Sequence, residues 1–187
     1  MFKMILNNVT ICAIDSVQPD KAKKAIERSK RNIKFGGELF IDHMSINSRQ
    51  AYSKFVLQEL HKYIKTDFVL IVQWDGWVIN PNAWQNAFLD YDYIGAVWPW
   101  HPEGLRVGNG GFSLRSKKLL ELTADPRFVY KNKNEDDLIC HFNRDFLVSN
   151  GIKFAPEDLA RHFSYEMEGT NLETFGFHGK FHIHKYL

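Results

Sequence analysis

Four short segments of this 187-residue chain carry side chains able to do chemistry. The first, Gln73-Trp74-Asp75-Gly76, directly follows the apolar run Asp67-Phe68-Val69-Leu70-Ile71-Val72. A carboxylate leaving a buried strand is placed to hold a hard divalent cation, and Mg²⁺ or Mn²⁺ held this way bridges diphosphate oxygens. Gln73, on the same side of an extended chain as Asp75, offers a carbonyl oxygen to the ion or a contact to a sugar. Asp-Gly is equally an ordinary turn signal. The second segment is Gly108-Asn109-Gly110-Gly111-Phe112-Ser113-Leu114-Arg115. Its glycines let backbone N–H groups approach a diphosphate or sugar closely, although a glycine cluster by itself also makes a plain hairpin loop. In the third, Asn134-Glu135-Asp136-Asp137, acids open a helix, where they favour its positive end; a carboxylate there is also a candidate general base for a sugar hydroxyl. In the fourth, Phe175-Gly176-Phe177-His178-Gly179, a glycine-flanked imidazole is free to turn inward as a metal ligand. His182 and His184, two apart, would share a strand face as an adventitious metal pair.

These segments need a scaffold, and the pattern predicts an α/β one. Val9–Ile14 reads as a buried strand and Asp15-Ser16 ends it. A helix follows from about Pro19, with Ala22, Ala25, Ile26 and Ile33 on one side, and Gly36-Gly37 stops it. Glu38–Ile41 is a second strand. Residues 51–64 form an amphipathic helix, and 67–72 the most strand-like run of the chain. A short helix at 84–89, a strand at 91–96, a Trp/Pro/Gly-rich loop, a strand at 112–114 and a helix at 116–122 come next. A helix over 136–147, a strand at 151–155 and a strand in the tail complete the order. Strands alternating with helices imply a three-layer α/β/α sandwich with a mostly parallel, mixed sheet, in one domain spanning 1–187. Ligands of such folds sit beyond the carboxyl ends of strands, where Gln73–Gly76 falls.

Composition narrows the partners. Lys and Arg total 24 against 22 Asp and Glu, so there is no basic footprint for nucleic acid. The cluster Lys21, Lys23, Lys24, Arg28, Lys30, Arg31 and Lys34 reads as the solvated face of a helix. Aromatics make up 14% of the chain, with 15 Phe and 5 Trp, enough for both a core and a sugar-stacking groove. Cys12 and Cys140 lie in apolar contexts without metal spacing, as free thiols in a reducing cytoplasm. No run is long enough for a transmembrane segment.

The order of the four segments resembles glycosyltransferases of the A-type fold. It is similar to a glycosyltransferase-like family marked by QWDG after a long apolar strand, GNGGFSLRS, an ED pair opening a helix and a terminal FGFHG. Here these are Gln73–Gly76, Gly108–Ser116, Glu135-Asp136 and Phe175–Gly179, and Val9–Ser16 resembles that family's first strand. More remotely the layout resembles β-1,4-galactosyltransferases, with their metal-binding DxD, Gly-Gly strand, GEDDD and later His. The resemblance implies an inverting transferase that moves a sugar from a nucleotide-diphosphate sugar to a glycan, lipid-linked or protein acceptor. Asp75 and His178 would hold Mn²⁺ or Mg²⁺, Asp136 would be the base, and Glu135 and Asp137 would lie near the acceptor. Asp15, Gln73, Trp74, Asn109, Gly110 and Gly111 would be the donor contacts, with the loop from Trp98 to Asn109 folded over the sugar. Gln73 replaces the first acid of DxD. This departure favours the alternative reading, a non-catalytic nucleotide-sugar or glycan-binding module on the same fold.

Overall fold

In the computed structural model, residues 4–167 and 173–186 are described. The main sheet is built from β1 (Met4–Ile14), β2 (Ile33–Ile41), β3 (Phe68–Val72), β4 (Tyr93–Ile94) and β5 (Phe112–Ser116), in the order β2-β1-β3-β5-β4. β1 pairs in parallel with β2 and β3, while β5 runs antiparallel to β3 and β4. One strand thus opposes the others, which gives the mostly parallel, mixed sheet expected.

The two central strands, β1 and β3, send alternate side chains to opposite faces. Val9, Ile11, Ala13, Leu70 and Val72 join Ala22, Ala25 and Ile26 of α1 (Pro19–Ser29) in one core. Cys12, Ile14, Val69 and Ile71 join Val56 of α2 (Arg49–Gln58), Leu60, Ile64 and Leu120 of α3 (Lys117–Thr123) in the other. Helices on both faces make the three layers.

Local chemistry shifts several expected boundaries. α1 ends at Ser29, and Gly36-Gly37 lie inside β2 rather than stopping the helix. A Cβ on Gly36 would stand 1.9 Å from the Asn7 carbonyl oxygen, beside the irregular register of β1 and β2. These glycines therefore serve the close approach of two strands, not a helix cap. The 84–89 segment is a 3-10 turn at Asn86–Asp90. The strand expected at 151–155 reduces to one bridge, Phe154 with Tyr93. The helix predicted over 136–147 is interrupted. α4 (Glu135–Asp137) leads into a π-helical segment, Leu138–Phe142, and then α5 (Arg144–Ser149). The wider turn is marked by the Asn143 N–H donating to the Leu138 carbonyl, 2.9 Å.

After α6 (Glu157–Phe163), a two-stranded parallel sheet forms from β6 (Ser164–Tyr165) and β7 (Gly176–Phe177). The tail beyond it is a 3-10 helix, Lys180–Lys185, so His182 and His184 do not share a strand face. Phe88, Phe112, Phe163 and Phe175 pack with centroids 5.2–6.3 Å apart and fasten the tail to β5 and α6. Among the described residues, no helix is long and apolar enough to cross a membrane.

Candidate active site

Antiparallel pairing decides where the motifs meet. Val72, the last residue of β3, faces Phe112, the first of β5. The chain leaving β3 as Gln73–Gly76 and the chain entering β5 as Gly108–Gly111 therefore share one sheet edge. Gln73–Gly76 is a turn closed by the Gly76 N–H on the Gln73 carbonyl, 3.1 Å. The tail is zipped beside it: the Gly179 N–H donates to Asp75 O, and the His178 N–H to Tyr165 O, each at 3.0 Å.

His178 is the centre of this cluster. Its Nε2 lies 3.3 Å from Asp75 Oδ1 and 3.2 Å from Gln73 Oε1. Its Nδ1 lies 3.0 Å from Glu166 Oε1. An ionised carboxylate only accepts, so Nδ1 carries a proton and donates to Glu166. Burial works to raise the Glu166 carboxyl, but hydrogen bonds from His178, Asn109 and Trp98 outweigh it and hold it below its ordinary value. Burial likewise opposes charge on His178, yet Asp75 and Glu166 prevail and raise it to about 9. Two acceptors, Asp75 Oδ1 and Gln73 Oε1, thus converge on the Nε2 side, and Asp75 Oδ1 is buried there without a well-formed hydrogen bond. Two oxygens and an imidazole whose far nitrogen is fixed by a carboxylate form a donor set that fits the divalent cation implied by the resemblance.

The glycines let this cluster close. A Cβ on Gly111 would stand 2.0 Å from His178 Nε2, and one on Gly110 would stand 1.9 Å from Glu135 Oε1. Asn109 sits in the left-handed region at φ 67. Its Oδ1 accepts from the Gly111 and Phe112 N–H groups, which pins the loop.

Across that loop lie the helix-opening acids. Glu135 is buried against Arg115, with Nη2 2.8 Å from Oε1. Asp136 Oδ2 accepts from the Gly110 N–H at 2.9 Å. Burial, then the neighbouring Glu135 charge, push the Asp136 carboxyl up to about 7 despite the Gly110 N–H and Arg115, which pull the other way.

A cleft of about 490 Å³ opens over these groups. Gln73, Asn109, Gly110, Gly111, Glu135, Asp136, Asp137 and His178 all line it, and Asp75 stands directly against His178. Trp98, Trp100 and His101 of the loop line it too. Asp15 and Trp74 are not among its walls. Asp15 Oδ1 instead accepts from the Val17 and Gln18 N–H groups at the start of α1, and Trp74 lies under the Lys21 ammonium, 4.9 Å from its ring centre. Three lining residues carried no motif: Glu166, Arg49 and Tyr52. The period of α2 does put Arg49 and Tyr52 on one helix face, a signal that reads as amphipathicity alone.

The fold is that of A-type glycosyltransferases. It superposes on a glycosyltransferase involved in the glycosylation of the major capsid of PBCV-1 with a TM-score of 0.54, at 11% identity, covering 92% of both chains. The galactosyltransferase LgtC, in complex with donor and acceptor sugar analogs, is similar at a TM-score of 0.49 and 16% identity over 92% of this chain and 87% of that one. Residues 35–178 match the model of DUF5672, described as a protein of unknown function, and the chain belongs to that family. No curated protein matches it by sequence.

Proposed function

We propose that this chain is a glycosyltransferase that moves a sugar from a nucleotide-diphosphate sugar to an acceptor hydroxyl with inversion. The observation that carries the reading is a cleft with a cation-type donor set on one side and a carboxyl raised to about 7 on the other. Asp136 accepts the proton of the acceptor hydroxyl as its oxygen attacks the anomeric carbon. The bond from that carbon to the diphosphate breaks, and the nucleoside diphosphate leaves with the electron pair. A base with a value near the working pH combines a large ionised fraction with useful basicity. Glu135, fixed by Arg115, adds the negative charge that raises Asp136. Gln73, Asp75 and His178 would hold Mn²⁺ or Mg²⁺, which when bound neutralises charge on the diphosphate. Trp100, exposed at the rim and backed by the buried Trp98, offers a flat face to the sugar, and a glycan, lipid-linked or protein acceptor enters past it.

The test is turnover of a panel of nucleotide sugars, with and without Mn²⁺, beside donor affinity by calorimetry. Asp136→Asn is expected to keep donor affinity while transfer or hydrolysis falls about 10²–10⁴-fold. Undiminished turnover in that variant overturns the assignment of the base. The amide of Gln73 against His178 Nε2 supports a second reading, a binding module without turnover. Donor binding with no turnover of any nucleotide sugar, alone or with simple glycan acceptors, would favour that reading.

A further inference from the structure

A second cluster lies at the mouth of the cleft and takes no part in the proposed transfer chemistry. His101 comes from the Trp-rich loop, Asp137 from α4 and His141 from the π-helical segment. One ligand atom from each lies within 4.8 Å of the other two. The two imidazoles are stacked, with centroids 3.8 Å apart and planes 15° from parallel. Asp137 and His141 are four residues apart on the helical run, so they share a face. His141 Nε2 is buried and without a hydrogen-bond partner among the described residues. Trp98 backs both rings, at 5.5 Å from His101 and 5.7 Å from His141.

We propose that His101, Asp137 and His141 bind a borderline divalent transition cation of the zinc type, fixing the Trp98–His101 loop to the start of α4. Bonds of about 2.0–2.2 Å to zinc need ligand atoms roughly 3.3–3.6 Å apart, so from separations of at most 4.8 Å the three groups must close by no more than about 1.5 Å. One imidazole must also turn out of the stack to aim its in-plane lone pair at the ion. Side-chain rotation supplies that much at a half-exposed site. Two imidazoles and one carboxylate select zinc-like ions over Mg²⁺ or Ca²⁺, which prefer oxygen. Three protein ligands leave a fourth position for water or a ligand atom. His101 and Asp137 also line a neighbouring cavity of about 460 Å³ together with Lys133, so that position has room. The ion would sit one packing layer from the cluster around His178, because Trp98 donates from Nε1 to Glu166 Oε2 at 3.3 Å. The site rests on its own residues and does not depend on the proposed transfer.

Co²⁺ titration of the full chain tests this. Four-coordinate Co²⁺ gives visible absorption, and as a paramagnetic ion it quenches the fluorescence of the adjoining Trp98; added Zn²⁺ should reverse both. The expected result is tight binding in the wild type and in Asp75→Asn, weakened at least about tenfold in His141→Ala and in Asp137→Asn. Asp137→Asn keeps the side chain's shape, and far-UV circular dichroism checks the folding of each variant. Equal affinity in the wild type and in folded Asp137→Asn or His141→Ala overturns the proposal. So does a loss confined to Asp75→Asn, which would assign the ion to the His178 cluster, and so does a wild type that binds no Co²⁺.

Discussion

Burial and then the Glu135 carboxylate oppose charge on Asp136, and the Gly110 N–H favours it. Its folded value of about 7 stands above the ordinary 3.8, so between these the folded chain binds more protons than the unfolded one. Stability from this group is therefore present at low pH and is lost as pH rises through about 4 to 7. Thermal melts across that range should show the wild type declining more steeply than Asp136→Asn, with the variant the more stable at pH 8. A parallel slope in both would show that the group is not perturbed. Gly111 offers a steric counterpart. Gly111→Ala pushes a methyl into the position of the His178 ring, and is expected to cost about 1–3 kcal/mol in urea unfolding. It should also abolish any Mn²⁺-induced shift in melting temperature. At this scale the sequence was informative about cleft-lining segments whose signals are local. Gln73–Gly76 and Gly108–Gly111 are visible because strand ends and glycines signal position. Glu166 was not, because nothing near it in the chain announces that its carboxylate holds a ring twelve residues further on.

At the level of elements, β5 and α4 are joined through one fully buried guanidinium. Arg115 reaches Glu135 Oε1 at 2.8 Å and donates from Nε to Ser113 Oγ at 3.0 Å. Removing one member of such a pair strands the other charge away from water. Arg115→Met is expected to cost about 3–5 kcal/mol by denaturant titration, and the double variant Arg115→Met/Glu135→Met less than that single one. A double variant worse than the sum of the singles would contradict this account. The elements themselves were legible where periodicity is strong, as in β1, β3, α1 and α2. They were misread where tertiary contact decides. Gly36-Gly37 looks like a stop signal, yet it fits between strands because Asn7 presses on it. The π-helical segment follows from hydrogen bonds five residues apart, which no side-chain period encodes.

Over the whole molecule, the α/β/α layering was readable from alternating elements, since two-faced burial of β1 and β3 leaves a run of apolar residues. The seating of the tail was not, because it depends on aromatic rings scattered over 88 to 175 meeting in space. Phe175, fully buried among them, is expected to cost about 3–5 kcal/mol on replacement by Ala, read from the shift of the urea midpoint. Because that ring anchors the segment carrying His178, Phe175→Ala should also weaken Mn²⁺ binding by calorimetry more than an equally destabilising change in the opposite core, such as Leu120→Ala. Equal effects would uncouple the tail's packing from the site. The same seating has a consequence in time. During synthesis every strand of the main sheet leaves the ribosome before His178 does. A partly made chain can therefore pair these strands while still lacking the imidazole, and the cluster of Gln73, Asp75 and Glu166 around that ring is completed only after His178 has been delivered and docked.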